Sequence, residues 1–311
     1  MVELRQLGTS GLATPRLVLG GNVFDFTVRG EEAFAVLDRF IAAGGTMIDT
    51  ADVYSSWVPG HVGGESERLL GRWLKRRGRR DDVLIATKVG YDKGLSAAHI
   101  AEAIDASLER LGTDHVDLYY AHKDDAGTPL QETLKAFDRL VRDGKVRAIG
   151  ASNYSAERLA EALEVSAQEG LAAYSVLQPE YNLMARDRFE GPLQQLCLER
   201  DLGVLPYFGL ASGFLTGKYR STADFGKSVR GDRMGRYLDG NGLRVLAALD
   251  EVAAEAKATP AQVALAWLAA QPGVTAPIAS ATSVEQLEEL LGVLTLELSP
   301  DQVARLTAAS D

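Results

Sequence analysis

Four ionisable side chains have types and placements that could move a proton: Asp49 and Tyr54 in GGTMIDTADVY (44–54), Lys88 in ATKVG, and His122 in VDLYYAH. Asp49 directly follows the apolar pair Met47-Ile48, and Lys88 follows LIAT, so both end runs that read as buried strands. Desolvated charges need partners, which makes the two a candidate buried ion pair. An ammonium beside a phenol favours phenolate and lowers an intrinsic pKa of about 10, which would make Tyr54 a proton donor usable near neutral pH. His122 could then donate to a substrate oxygen or tune that proton. Taken singly, a strand-end lysine or histidine is more often solvated or structurally paired. Convergence is what would give these four a chemistry.

The elements that must bring them together are legible as alternation. Short β-rich runs occur at 16–21, 46–51, 82–90, 116–122, 146–153, 173–182, 203–210 and 274–280. Between them lie helical patterns, including 31–44, 65–78, 97–112 and 130–145, with apolar residues every three or four positions. Gly44, Gly78, Gly112 and Gly144 fall where helix C-termini want a left-handed residue. Eight such units predict an α/β fold, a parallel (β/α)₈ TIM barrel occupying residues 1–311 as one domain. An open doubly wound sheet would be expected to show a G-x-G-x-x-G turn after its first strand, and LGGNVF does not match. The first twelve residues read as a β-hairpin capping the barrel bottom. The longest irregular stretch is 210–241, after the seventh strand, and an insertion of that length is more often functional than accidental. In such barrels chemistry sits at the C-terminal strand ends. Asp49, Tyr54, Lys88 and His122 all belong to that end.

Composition narrows the partners. The chain has 311 residues, 46% of them hydrophobic, and a formal net charge of −10, which disfavours nucleic acid or an anionic membrane. The N-terminus lacks a signal-peptide pattern and no apolar stretch is long enough to span a bilayer, so a cytoplasmic location is expected. The single Cys197 reads as a helix-face core residue, and four scattered histidines offer no metal site. A proton donor that polarises a carbonyl still reduces nothing by itself, and a nicotinamide cofactor is the simplest hydride source.

GGTMIDTADVY, ATKVG, VDLYYAH, IGASNYS and LASGFLTGKY, five ordered motifs over nearly the whole chain, together resemble the aldo-keto reductases. The nearest likeness in motif is to the branch that includes potassium-channel β subunits. The resemblance implies reversible reduction of aldehydes or ketones, with Tyr54 as general acid/base, Lys88 and Asp49 tuning it, and His122 orienting the carbonyl. It implies NAD(P)(H) held without a Rossmann fold: Ser152, Asn153 and Gln178 at the carboxamide, Tyr207 stacked on the ring, and Phe208, Leu210, Ser212, Lys218 and Arg230 along the clamping loop. Where many members have Ser-Pro-Leu after the stacking tyrosine, this chain has Phe208-Gly209-Leu210, losing a hydroxyl contact. After the eighth strand, Ser280, Thr282, Gln286 and Glu289 stand where 2′-phosphate-specific members often carry Lys or Arg, so NADP(H) is favoured only modestly over NAD(H). Asn22, Phe24 and Trp57 are expected to line the mouth for a small carbonyl or alcohol substrate, sugar-like compounds included; loop packing by Trp57 is an equally good reading. Two alternatives remain. One is a nucleotide-binding redox sensor or regulatory subunit with little turnover. The other is a Schiff-base barrel enzyme, which would require Lys88 free of a carboxylate.

Overall fold

The computed structural model describes residues 2–227, 231–238 and 240–311. A two-stranded antiparallel hairpin, β1 (Arg5–Gln6) and β2 (Ala13–Thr14), precedes eight parallel strands. These are β3 (Val18–Gly20), β4 (Met47–Asp49), β5 (Leu84–Val89), β6 (Val116–Ala121), β7 (Val146–Ser152), β8 (Val176–Gln178), β9 (Gly203–Val204) and β10 (Ile278–Ala279). Their order is β10-β3-β4-β5-β6-β7-β8-β9. The barrel closes through a parallel bridge between Val204 and Val274, with Thr275 N donating to Val204 O at 2.9 Å and Ile278 N to Pro206 O at 2.9 Å. Helices α1 (Gly30–Ala42), α2 (Glu65–Arg77), α3 (Ala97–Leu111), α4 (Leu130–Arg142), α5 (Ala156–Glu169), α6 (Pro192–Glu199), α7 (Gly240–Ala256), α8 (Pro260–Ala269), α9 (Val284–Leu291) and α10 (Pro300–Ala309) surround it. No helix among the described residues is long and apolar enough to cross a membrane.

Strand residues alternate between two faces, and here the two faces make two cores. Leu19, Ile48, Ile85, Tyr119, Ile149 and Leu177 pack against the helices. Val18, Met47, Ala86, Leu118, Tyr120, Ala148 and Val176 fill the lumen together with Leu7 and Leu12 from the hairpin region. The hairpin therefore plugs the bottom. Gly8, at φ +54°, touches the entrances of β8 and β9 so closely that a Cβ would lie 2.3 Å from Gly203 N and 2.7 Å from Ser175 O.

The same parity sets the top of the lumen. Two residues beyond Met47 stands Asp49, beyond Ala86 Lys88, and beyond Val176 Gln178. Continuing along β6 and β7 brings Tyr120 and then His122, and Gly150 and then Ser152. The register pairs Lys88 with Tyr120, Tyr120 with Gly150, and Ser152 with Gln178. Gly150 is required opposite the Tyr120 ring, since a Cβ would approach it to 2.6 Å. Polar groups that would be costly lower in the lumen are thus gathered at its open end.

The described residues of 210–241 are less irregular than their sequence indicates. They contain 3₁₀ turns at Ala211–Thr216, Thr222–Lys227 and Gly231–Tyr237, and α7 starts at Gly240. Phe208, Ala211 and Ser212 all have left-handed φ values near +47° to +59°, conformations uncommon for non-glycine residues.

Candidate active site

Lys88 is completely buried, and its ammonium spends its three protons on three acceptors. Nζ donates to Asp49 Oδ2 at 2.7 Å, to Thr50 O at 2.7 Å and to Tyr54 OH at 2.9 Å. Tyr54 OH in turn donates to Asp49 Oδ2 at 3.2 Å, and Gln178 Nε2 donates to Asp49 Oδ1 at 2.9 Å. The expected buried pair is present, and Lys88 is not the carboxylate-free lysine that a Schiff-base role requires. Tyr54 is placed by its loop: Thr50 Oγ1 donates to Ser66 Oγ and Ser66 Oγ to Gly21 O, each at 2.8 Å, while Ser55 Oγ donates to Phe24 O at 3.0 Å. These hydroxyls are buried, so the loop is held from below by satisfied polar groups. Ser66, at the start of α2, thus supports the loop.

The electrostatics correct one expectation. Tyr54 is not lowered by Lys88; burial and the Asp49 carboxylate push the phenol well above its ordinary value of 10. The carboxylate is bonded to the same oxygen and opposes phenolate, offsetting the ammonium, so the phenol keeps its proton at neutral pH. Burial lowers the Lys88 pKa, with Asp49 opposing the shift. Burial, then Lys88 and Lys123, bring His122 down to about 2. Its imidazole is neutral throughout the physiological range, with Nδ1 buried and without a partner. Its ring centroid lies 6.1 Å from that of Tyr54.

Next to this cluster the amide residues form a second one. Ser152 Oγ donates to Gln178 O at 2.8 Å, and Asn153 Nδ2 donates to Ser152 Oγ at 3.1 Å and to His122 O at 2.9 Å. Tyr207 OH donates to Asn153 Oδ1 at 2.7 Å. Asn153 takes φ +57°, which asparagine tolerates better than most side chains. Phe208 is 40% exposed beside Tyr207, with ring centroids 5.0 Å apart. Leu210 opens the 3₁₀ turn that contains Ser212, and Lys218 Nζ lies 5.2 Å from the Tyr219 ring centroid. Arg230 is outside the described residues. Beyond β10, Thr282 N and Oγ1 both donate to Gln286 Oε1, at 3.0 and 2.9 Å. Glu289 sits on α9, its backbone oxygen accepting from Gln262.

The mouth differs in part from the sequence reading. Phe24 is fully buried and packs in the helix–barrel core instead of facing the cleft. Asn22 is tied to the far side, its Oδ1 accepting from Ser280 Oγ at 2.7 Å. Trp57 is 51% exposed, edge-on to Phe26 and 6.1 Å from the Tyr54 ring. Tyr91, absent from the sequence reading, lies 4.9 Å from the His122 ring. Its position in KVGYD, three residues past Lys88 in the same strand-end loop, was the available signal.

A barrel with an acid, a lysine, a phenol and an imidazole gathered at its C-terminal rim defines a class of protein, and comparison with known sequences agrees. A model of the Aldo/keto reductase family matches residues 16–311. The chain belongs to that family of oxidoreductases, whose members use nicotinamide cofactors and act on small-molecule carbonyls. It is 34% identical over 323 residues to a probable voltage-gated potassium channel subunit beta of Oryza sativa subsp. japonica, covering 99% of this chain and 96% of the relative. It is 33% identical over 291 residues to the aldo-keto reductase yakc [NADP(+)] of Schizosaccharomyces pombe, covering 89% and 82%. It is 32% identical over 323 residues to the L-glyceraldehyde 3-phosphate reductase of Escherichia coli (strain K12), covering 98% and 91%.

Proposed function

We propose that this chain is an NAD(P)H-dependent reductase of small aldehydes or ketones, with NADP(H) ahead of NAD(H), in which Tyr54 is the general acid and, in reverse, the base. The observation that carries this reading is the contact of Tyr54 OH with both Lys88 Nζ and Asp49 Oδ2 at the lumen's open end. The phenol enters the reaction with its proton in place. As a carbonyl oxygen gains negative charge, that proton moves to it, and Lys88, 2.9 Å away, stabilises the phenolate left behind. Neutral His122 orients the carbonyl.

The residues present fit the cofactor. Ser152, Asn153 and Gln178 make a connected amide and hydroxyl surface beside the tetrad, and the Tyr207 ring is fixed at its edge through Asn153. These would hold the nicotinamide, with Phe208, Leu210, Ser212, Lys218 and Arg230 along the pyrophosphate side and Ser280, Thr282, Gln286 and Glu289 at the adenosine. The reduced nicotinamide supplies the hydride when bound. The names of the yeast and Escherichia coli relatives support NADP and an aldehyde substrate. Trp57 would border the substrate, with Asn22 at the cleft's far side.

The plant relative's name supports a second reading, a nucleotide-binding redox sensor or regulatory subunit with little turnover. Tyr54→Phe separates the two. Under the enzyme reading it loses at least ~100-fold in kcat while nucleotide affinity is kept. Retained nucleotide with negligible reduction of every carbonyl by the parent supports the regulatory reading, and unchanged turnover in Tyr54→Phe ends the proposed mechanism.

A further inference from the structure

The rings at the mouth of the cleft form a continuous arc. Trp57, Tyr54, His122 and Tyr91 follow one another with centroids 6.1, 6.1 and 4.9 Å apart. Trp57 and Tyr91 are each about half exposed, so flat walls flank the phenol and the imidazole. The arc ends on a cation: Lys123 Nζ lies 4.9 Å from the Tyr91 ring centroid. The ammonium can therefore lie no further than twice 4.9 Å from the imidazole centroid. Lys123 is exposed, and no carboxylate among the described residues pairs with it. The acids that follow it are committed elsewhere. Asp124 Oδ1 accepts from Arg158 Nε at 2.8 Å, while Asp125 accepts from Leu95 N at 2.8 Å, Gly127 N at 2.9 Å and Thr128 Oγ1 at 2.7 Å. Asp92 follows Tyr91 but is itself followed by Lys93. Across the cleft, Glu180 and Arg188 act on Tyr207 in opposite senses. In a chain of net charge −10, an uncommitted ammonium one residue from His122 is a local exception.

We propose that Lys123, braced by the Tyr91 ring, is a specificity-determining residue that selects carbonyl substrates carrying an oxyanion, a carboxylate or a phosphate monoester, a few bonds from the reacting carbon. The inference rests on the reading of Tyr54 and His122 as the carbonyl's partners. A carbonyl seated between them has Trp57 on its Tyr54 side and Tyr91 with Lys123 on its His122 side. An anionic end lying across Tyr91 would meet the ammonium in a setting drier than open solvent, where a charge-assisted hydrogen bond exceeds an exposed ion pair. Lysine presents a compact point charge with three rotatable donors, so it suits either oxyanion instead of the fixed fork geometry that arginine demands.

The test compares matched pairs on one aromatic scaffold. With reduced cofactor, kcat/KM is measured for para-carboxybenzaldehyde against its methyl ester, and for para-formylphenyl phosphate against para-methoxybenzaldehyde, in the parent, Lys123→Gln, Lys123→Glu and Lys123→Arg. In the parent the anion should be favoured by about five- to tenfold in at least one pair, less at high salt. That preference should be lost in Lys123→Gln, reverse in Lys123→Glu and return in Lys123→Arg. Which pair responds tells a carboxylate from a phosphate preference. Isothermal titration of the four product alcohols, with oxidised cofactor present, reads the same ratios without turnover. If the parent reduces none of the aldehydes, the Tyr54 reading fails and the titration alone decides on Lys123. A parent with no preference for the anion in either pair overturns the proposal, and so do ratios that Lys123→Glu leaves unmoved.

Discussion

Replacing Lys88 by Met tests the pair at the centre of the site. The substitution strands Asp49, which is 2% exposed, and leaves the Thr50 carbonyl without its donor. Removing one partner of a buried pair costs about 3–5 kcal/mol. Here Asp49 keeps the Gln178 amide and the Tyr54 phenol as donors, which points to the lower end of that range. In the double variant Asp49→Asn/Lys88→Met no charge is stranded, and Met occupies much of the lysine stem's volume. What remains is mainly the unpaired Thr50 carbonyl, about 1–3 kcal/mol. The double variant should therefore be more stable than Lys88→Met alone by up to about 2 kcal/mol, measured by urea unfolding at neutral pH as a double-mutant cycle. Both should be catalytically poor, since neither can stabilise a phenolate. If the double variant unfolds at the same or lower urea concentration than Lys88→Met, the two residues are not coupled as a buried pair.

Two other outcomes follow from geometry already described. Gln286→Arg removes the acceptor that now occupies both Thr282 donors and adds a cation; it should tighten NADP(H) by roughly 1–2 kcal/mol, more at low salt, and barely change NAD(H). Fluorescence quenching titrations with both oxidised cofactors measure this, and no gain for NADP puts the 2′-phosphate elsewhere. His122, brought down to about 2 in the fold, is neutral there while the unfolded chain gains a proton below about pH 6.5. Its contribution is intact above that pH and is lost as pH falls, at about 1.4 kcal/mol per unit, or about 2 kcal/mol by pH 5. His122→Asn should erase that slope in denaturant unfolding at pH 7 and pH 5, and a parent-to-variant difference independent of pH would refute it.

Asp49, Lys88 and His122 were legible as polar residues ending apolar runs, whereas Ser152 and Gln178 came only with the family resemblance; in the fold each stands two residues beyond an inward-facing strand residue. Strand lengths were less legible. The run at 203–210 yields a ladder only over Gly203–Val204, and that at 274–280 only over Ile278–Ala279. Burial extends an apolar run beyond its pairing, and Pro206 and Pro277 cannot donate to a ladder. Loop residues carry no period, which is why Phe24 read as a wall when it is core. The direction of the Tyr54 shift depended on Asp49 and Lys88 meeting the same oxygen, and no spacing states that.

The hydrogen bonds around Asp49 have a sense as well as a geometry. Gln178 Nε2 donates to one oxygen of Asp49, while Tyr54 and Lys88 donate to the other. Side chains that could each point two ways are thereby set in one, like compass needles about a single negative pole. The Gln178 amide that would face a nicotinamide and the phenol that would face a carbonyl share that pole, whereas Tyr207, Asn153 and Ser152 form a separate series that ends on the Gln178 main-chain carbonyl. Orientation at the two halves of the cleft is therefore not independent: a ligand that turned the Gln178 amide would also disturb the acceptor to which Tyr54 is tethered.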